Sequence, residues 1–155
     1  MHLKKTLAYI IGTVLGSGYF PKAPGTAGSL FAVLFYYFFI SSGWVLLVLS
    51  FVLFFAGAAS ATFIEREKGK DAQLIVIDEL VGQWIACLFL PKTMPVLAAA
   101  FLFFRLFDIF KPYPIDKLQN LAGGWGVMSD DALAGIYANV TIQLIIFSGV
   151  FTWIP

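Results

Sequence analysis

From Trp44 to Ile64 the chain carries no charged side chain, and no other feature narrows its possible folds so much. A helix needs about 20 apolar residues to cross the hydrocarbon of a bilayer. This run satisfies the requirement, and so does Ala132 to Ile154. Gly28 to Ser42 is shorter but uncharged and rich in Phe and Tyr. Leu74 to Leu90 is apolar except for Asp78, Glu79 and Gln83, and Pro95 to Phe110 except for Arg105 and Asp108. Thr6 to Leu15 is too short to span and reads as an interfacial or re-entrant helix. Over 155 residues, 60% are hydrophobic and 12% charged. A soluble domain carries about 25% charged residues, and one of this size cannot hide so much apolar surface in a single core. The expected fold is all-α: a polytopic helical membrane protein of four to five membrane-embedded helices plus the short N-terminal helix, in one domain spanning residues 1–155.

Basic residues close to segment ends set orientation. With the N-terminus cytoplasmic, Lys4, Lys5, Lys22, Arg66, Lys68, Lys70, Lys111 and Lys117 fall on the cytoplasmic side, and only Lys92 falls outside. The start MHLKKTLAYIIGTVLGSG imitates a secretory leader but lacks a clear small-residue cleavage site, so it reads as retained. A net charge of +1 gives no reason to expect a nucleic-acid partner. Cys87, the sole cysteine, provides no disulfide framework.

The same topology gathers five acids at one face. Asp78 and Glu79 lie in LIVIDELVGQW, Asp108 in FRLFDIFKPYP, and Asp130 and Asp131 in GVMSDDALAG. Acids near hydrocarbon are costly unless paired, hydrated or metal-bound, so they mark a working site. Leu74 to Ile77 are already apolar, which places Asp78 and Glu79 past the helix start. Two adjacent ionised acids are tolerable there when a cation sits between them. Arg105, Asp108 and Lys111 follow one another at intervals of three along a helix that Pro112 ends. Their reading is either self-neutralisation, with Lys111 reaching to lipid phosphates, or Asp108 on a metal with the cations on phosphate. The glycines before Asp130 predict a loop, after which Ser129 or Asp130 caps the final helix; the spacing leaves cap and ligand open. Gly82, Ala132, Ala134 and Gly135 are small enough for close helix approach.

GSGYFPKAPGTAGSL places Gly25, Thr26, Gly28 and Ser29 at a helix start, where free backbone N–H groups favour phosphate, and Lys22 adds a mobile charge. The Walker pattern is absent. His2 is the only histidine and sits at the terminus, which excludes a histidine nucleophile or a His-rich zinc site. Cys87 has no arginine six residues later, which argues against a thiolate phosphatase. There is no D-x-D pair of the usual aspartyl-phosphate enzymes. Oxygen ligands favour Mg²⁺, Mn²⁺ or Ca²⁺, so the inventory suits a membrane enzyme acting on phosphate at headgroup level.

PKAPGTAGSL, VIDELVGQW, FRLFDIFKPYPI and GGWGVMSDDALAG, in this order, closely resemble the phosphatidylglycerophosphatase A family from about Gly16 to Tyr137. The resemblance implies a Mg²⁺-dependent lipid phosphatase, multi-pass in the bacterial cytoplasmic (inner) membrane. Its implied reaction is hydrolysis of phosphatidylglycerophosphate to phosphatidylglycerol and inorganic phosphate, the last step of phosphatidylglycerol synthesis. On that basis Asp78, Glu79, Asp108, Asp130 and Asp131 are the expected catalytic acids, with Asp78, Glu79, Asp108 and Asp131 on the metal. Lys22, Thr26, Ser29, Arg105 and Lys111 are the expected phosphate ligands. The expected partners are a phospholipid substrate and the bilayer; oligomeric state is not legible. Two other readings fit the residues less well. A CDP-alcohol transferase would need D-G-x-x-A-R…G…D…D, which is absent, and a small ion or proton transporter would spread its acids through the membrane depth.

Overall fold

The computed structural model describes residues 2–70 and 72–149. Among them the chain is helical throughout, with no strand. The elements are α1 (His2–Gly12), α2 (Pro24–Phe39), α3 (Gly43–Lys68), α4 (Ile77–Ala86), α5 (Met94–Phe110), the single turn α6 (Ile115–Leu118) and α7 (Gly124–Phe147). α4 is the hub and packs against α2, α3, α5 and α7. Eight of its ten residues are buried, including Asp78, Gln83 and Trp84. Trp84 Nε1 donates to the Ala32 carbonyl of α2 at 3.0 Å, and Asn139 of α7 bonds the far end of α4. α2, α4 and α7 therefore run in one direction, with α3 and α5 antiparallel to them.

The outer faces are apolar. Trp44, Val48, Phe51 and Val52 on α3, Leu102, Leu106 and Ile109 on α5, and Ile136, Val140 and Leu144 on α7 are all exposed. Two helices, α3 and α7, are long and apolar enough to cross a membrane by length and composition. α5 matches its expected segment closely, whereas α2 runs from Pro24 to Phe39 rather than from Gly28 to Ser42; they have 17 and 16 residues, or about 24–26 Å of helix.

Two further boundaries differ from expectation, each for a physical reason. α4 spans only Ile77–Ala86, ten residues, about 15 Å and too short to cross a bilayer. It ends inside the bundle because Asn139 Nδ2 donates to the carbonyls of Ala86 (3.1 Å) and Leu88 (2.8 Å). Those groups would otherwise be orphaned at the helix end. α7 begins at Gly124, well before Asp130, so neither Ser129 nor Asp130 is its N-cap. Glycine costs about 1 kcal/mol in a helix interior, which made GGWG read as a loop. Here the Gly124 N–H is bonded by Thr62 Oγ1 at 2.9 Å, and its missing side chain admits α3, whose Ala58 carbonyl occupies the space of a β-carbon. Close packing outweighs propensity. The end of the expected Ala132–Ile154 span lies outside the described residues. α1 is eleven residues and lies against the C-terminal part of α3, with Lys5 Nζ 2.8 Å from Glu67 Oε2.

Candidate active site

All five acids stand at one end of the bundle, where α2, α4 and α7 begin and α3 and α5 finish. Lys92 marks the other end, its Nζ donating to the Ile40 carbonyl at 2.8 Å. Within the acidic end the five separate into two groups.

The first group is Asp78, Glu79 and Asp131, whose nearest carboxylate oxygens all lie within 4.8 Å of one another. Asp78 and Glu79 occupy the first turn of α4 rather than a position past its start, where the helix dipole favours negative charge. Asp131 sits two turns into α7. Glycine sets the approach of the two helices: a β-carbon on Gly82 would stand 2.7 Å from the Asp131 carbonyl, and one on Gly135 would collide with the Gly82 carbonyl. A β-carbon on Gly25, at the start of α2, would collide with the Glu79 carboxylate.

Asp78 Oδ1, Glu79 Oε2 and Asp131 Oδ2 are buried and have no hydrogen-bond partner. Buried polar atoms are nearly always satisfied, so three carboxylates that approach within 4.8 Å and each carry an orphaned oxygen suit a bound ligand. Like charges this close repel by about 3 kcal/mol per pair at an effective dielectric of about 20. A divalent cation fits both demands, and an all-oxygen donor set suits a hard ion such as Mg²⁺.

The second group is a chain of alternating charge. Arg105 Nη1 lies 2.7 Å from Asp108 Oδ2, Asp108 Oδ1 is 3.9 Å from Lys111 Nζ, and Lys111 Nζ pairs with Asp130 Oδ2. Asp130 Oδ1 accepts from the Asp131 N–H at 3.0 Å, which links the chain to the first group. Burial works against the Lys111 ammonium, but its bond to Asp130 and the neighbouring charges of Asp131 and Asp108 hold its pKa above the ordinary lysine value. Lys111 adopts the left-handed conformation (φ 43°, ψ 58°) that closes α5, the residue before Pro112 being disfavoured from helical geometry.

A cavity of about 390 Å³ opens onto the acids. It is lined by Asp78 and Glu79 of α4, Arg105 of α5, Gly25 and Thr26 of α2, and Gln73 in the turn before α4. Of the expected phosphate ligands, Thr26 and Arg105 line it. Ser29 is buried and acts at one remove, its hydroxyl donating to the Gly25 carbonyl (2.9 Å) and accepting from Arg105 Nη1 (3.5 Å). Lys22 is exposed on the loop leading into α2. Lys111 is committed to the carboxylates behind the cavity, and Asp108 and Asp130 stand outside the group of three. A larger hollow of about 610 Å³ beside α1 contains no carboxylate, so volume does not mark the site.

Two contributors escaped the sequence reading. Gln83 is fully buried one turn beyond Glu79, and its Oε1 lacks a partner. Asn139 closes the end of α4. A lone amide within an apolar run is the signal that points to each.

The phosphatidylglycerophosphatase A family profile matches residues 10–146. This chain belongs to that family. It is accordingly a phosphatase. Relatives include the phosphatidylglycerophosphatase A proteins of Escherichia coli, 36% identical over 135 residues (83% of this chain, 77% of the relative), and of Haemophilus influenzae, 36% identical over 142 residues (86% and 85%). A Bacteroides thetaiotaomicron protein with the provisional name phosphatidylinositol-3-phosphatase is 42% identical over 147 residues, covering 89% of this chain and 92% of that protein. No solved structure matches the chain.

Proposed function

We propose that this protein is a Mg²⁺-dependent lipid phosphatase that hydrolyses phosphatidylglycerophosphate to phosphatidylglycerol and inorganic phosphate at the cytoplasmic face of the bacterial inner membrane. The observation that carries this reading is a group of three carboxylates within 4.8 Å, each with an unpartnered oxygen, beside a cavity that an arginine also lines. The exposed apolar faces of α3, α5 and α7 suit a multi-pass protein, and a site at one end of the bundle meets a phosphate presented at headgroup level.

Asp78, Glu79 and Asp131 would hold the ion, which when bound supplies positive charge to the phosphate and its leaving oxygen. Arg105 brings a guanidinium fork to the same cavity. Its Nε is buried without a partner, while Asp108 and Ser29 fix Nη1, so the group is aimed before substrate arrives. Lys22, exposed on the loop before α2, would add positive charge for the phosphate, while the Thr26 hydroxyl stands on the rim of the cavity. Lys111 and Asp130 tie the end of α5 to α7 and keep Arg105 and Asp131 in register. Hydrolysis requires water to form the new P–O bond and lose a proton, and the ester oxygen to leave with one. A carboxylate oxygen of this group that the ion leaves free would accept the first proton and return it to the leaving oxygen.

Purified protein in detergent micelles, given phosphatidylglycerophosphate, should release phosphate with Mg²⁺ and stop on chelation. Release that persists after chelation removes the metal from the proposal, and no release under any condition removes the substrate. The identity to the Bacteroides protein favours one second reading, phosphatidylinositol 3-phosphate as the preferred lipid; kcat/KM for the two lipids, measured side by side, decides between them.

A further inference from the structure

Gln73 and Thr26 stand apart from the charged residues of the cavity. Asp78, Glu79 and Arg105 carry the charge there, whereas Gln73 and Thr26 offer neutral groups that both donate and accept hydrogen bonds. Neither side chain is hydrogen-bonded to another described residue, although Gln73 sits in a well-anchored turn. The Ile75 N–H donates to the Ala72 carbonyl at 2.8 Å, and the Val76 N–H donates to the Gly12 carbonyl of α1 at 2.9 Å. On the other side the Leu74 carbonyl fills the space where Gly18 lacks a side chain. Thr26 is held equally firmly, in the first turn of α2. An exposed amide and a half-buried hydroxyl, both carried on anchored backbone and unused at the edge of a phosphate site, are placed to contact the part of the substrate that is not phosphate.

We propose that Gln73 and Thr26 are specificity-determining residues that bind the hydroxyl-bearing alcohol to which the scissile phosphate is esterified, and so select a phosphorylated polyol headgroup over a bare phosphomonoester. The proposal rests on the phosphatase reading above. The alcohol of such a headgroup bears at least one free hydroxyl, which the Gln73 amide and the Thr26 hydroxyl match as donor and acceptor. A hydrogen bond at a site open to water contributes modestly, so losing one lowers selectivity about fivefold to tenfold rather than abolishing turnover.

The test compares Gln73→Ala and Thr26→Val with the parent enzyme in mixed micelles. It reads kcat/KM for phosphatidylglycerophosphate and the inhibition constant of inorganic phosphate, which reports on the charged residues alone. Each variant should lose about fivefold to tenfold in kcat/KM, mainly through KM, with phosphate inhibition and thermal unfolding unchanged. The proposal is overturned if kcat/KM stays at the parent value in both variants, or if phosphate inhibition weakens in step with it. A parent enzyme that releases no phosphate sinks the phosphatase reading instead, and is seen before any variant is compared.

Discussion

Asp78, Glu79 and Asp131 place opposite demands on the protein with and without a cation. Bound to one, they are ligands; without one, they are buried charges that repel and whose oxygens lack partners. Removing one charge should therefore abolish activity and yet relieve the empty site. For Asp131→Asn we expect a loss of at least about a thousandfold in kcat, the scale of losing a group that stabilises charge in the transition state. The chelated variant should nevertheless unfold a few degrees above the chelated parent, because each like-charge pair is worth about 3 kcal/mol before screening. Added Mg²⁺ should raise the parent's unfolding temperature and barely move the variant's. An Asp131→Asn protein that keeps the parent's Mg²⁺ stabilisation would take Asp131 out of the ion site. That the acids share one end of the bundle was legible in the sequence, since the apolar runs and their basic flanks fix which segment ends meet. How they divide was not: Asp108 was expected on the metal beside Asp131, and only the fold shows Asp108 taken up by Arg105 at 2.7 Å and Asp130 by Lys111, with no such ion pair for Asp131 among the described residues.

At the scale of the element, α4 is a half-length helix whose position decides whether Asp78 meets Asp131. Its start rests on Gly25 and its middle on Gly135, and its end is closed by Asn139, which Gln143 Nε2 bonds in turn at 2.6 Å. Replacing Asn139 with Leu keeps the bulk and removes both donors, leaving the Ala86 and Leu88 carbonyls to stand buried and unpaired. The expected cost is about 1–3 kcal/mol per orphaned group, read as a lower unfolding temperature in detergent. It should come with weaker apparent Mg²⁺ affinity, since α4 can then slide against α7. A variant that is destabilised but binds Mg²⁺ normally would show that the cap serves stability alone. α5 was legible because Pro95 and Pro112 punctuate an apolar run that only Arg105 and Asp108 interrupt. α4 and α7 were not, because hydropathy reports solvent preference and is blind to where a neighbouring helix supplies an amide or fills a glycine's space.

For the whole molecule, orientation follows from charge. Lys5, Lys22, Arg66, Lys68, Lys70, Lys111 and Lys117 lie toward the acidic end and Lys92 toward the other, and cytoplasmic segments carry the excess of Lys and Arg. The site would then face the leaflet where a phosphorylated lipid made inside the cell is presented. Single cysteines can read this directly once Cys87, buried in the bundle, is replaced by serine. Lys70→Cys, in the exposed connection between α3 and α4, should resist a membrane-impermeant maleimide in intact spheroplasts and react after lysis. Lys92→Cys should react in both, because in this orientation the connection between α4 and α5 would face outward. The reverse pattern would place the acids on the outer face and separate them from a cytoplasmic supply of substrate. Labelling of both positions in intact spheroplasts would contradict a fixed orientation altogether.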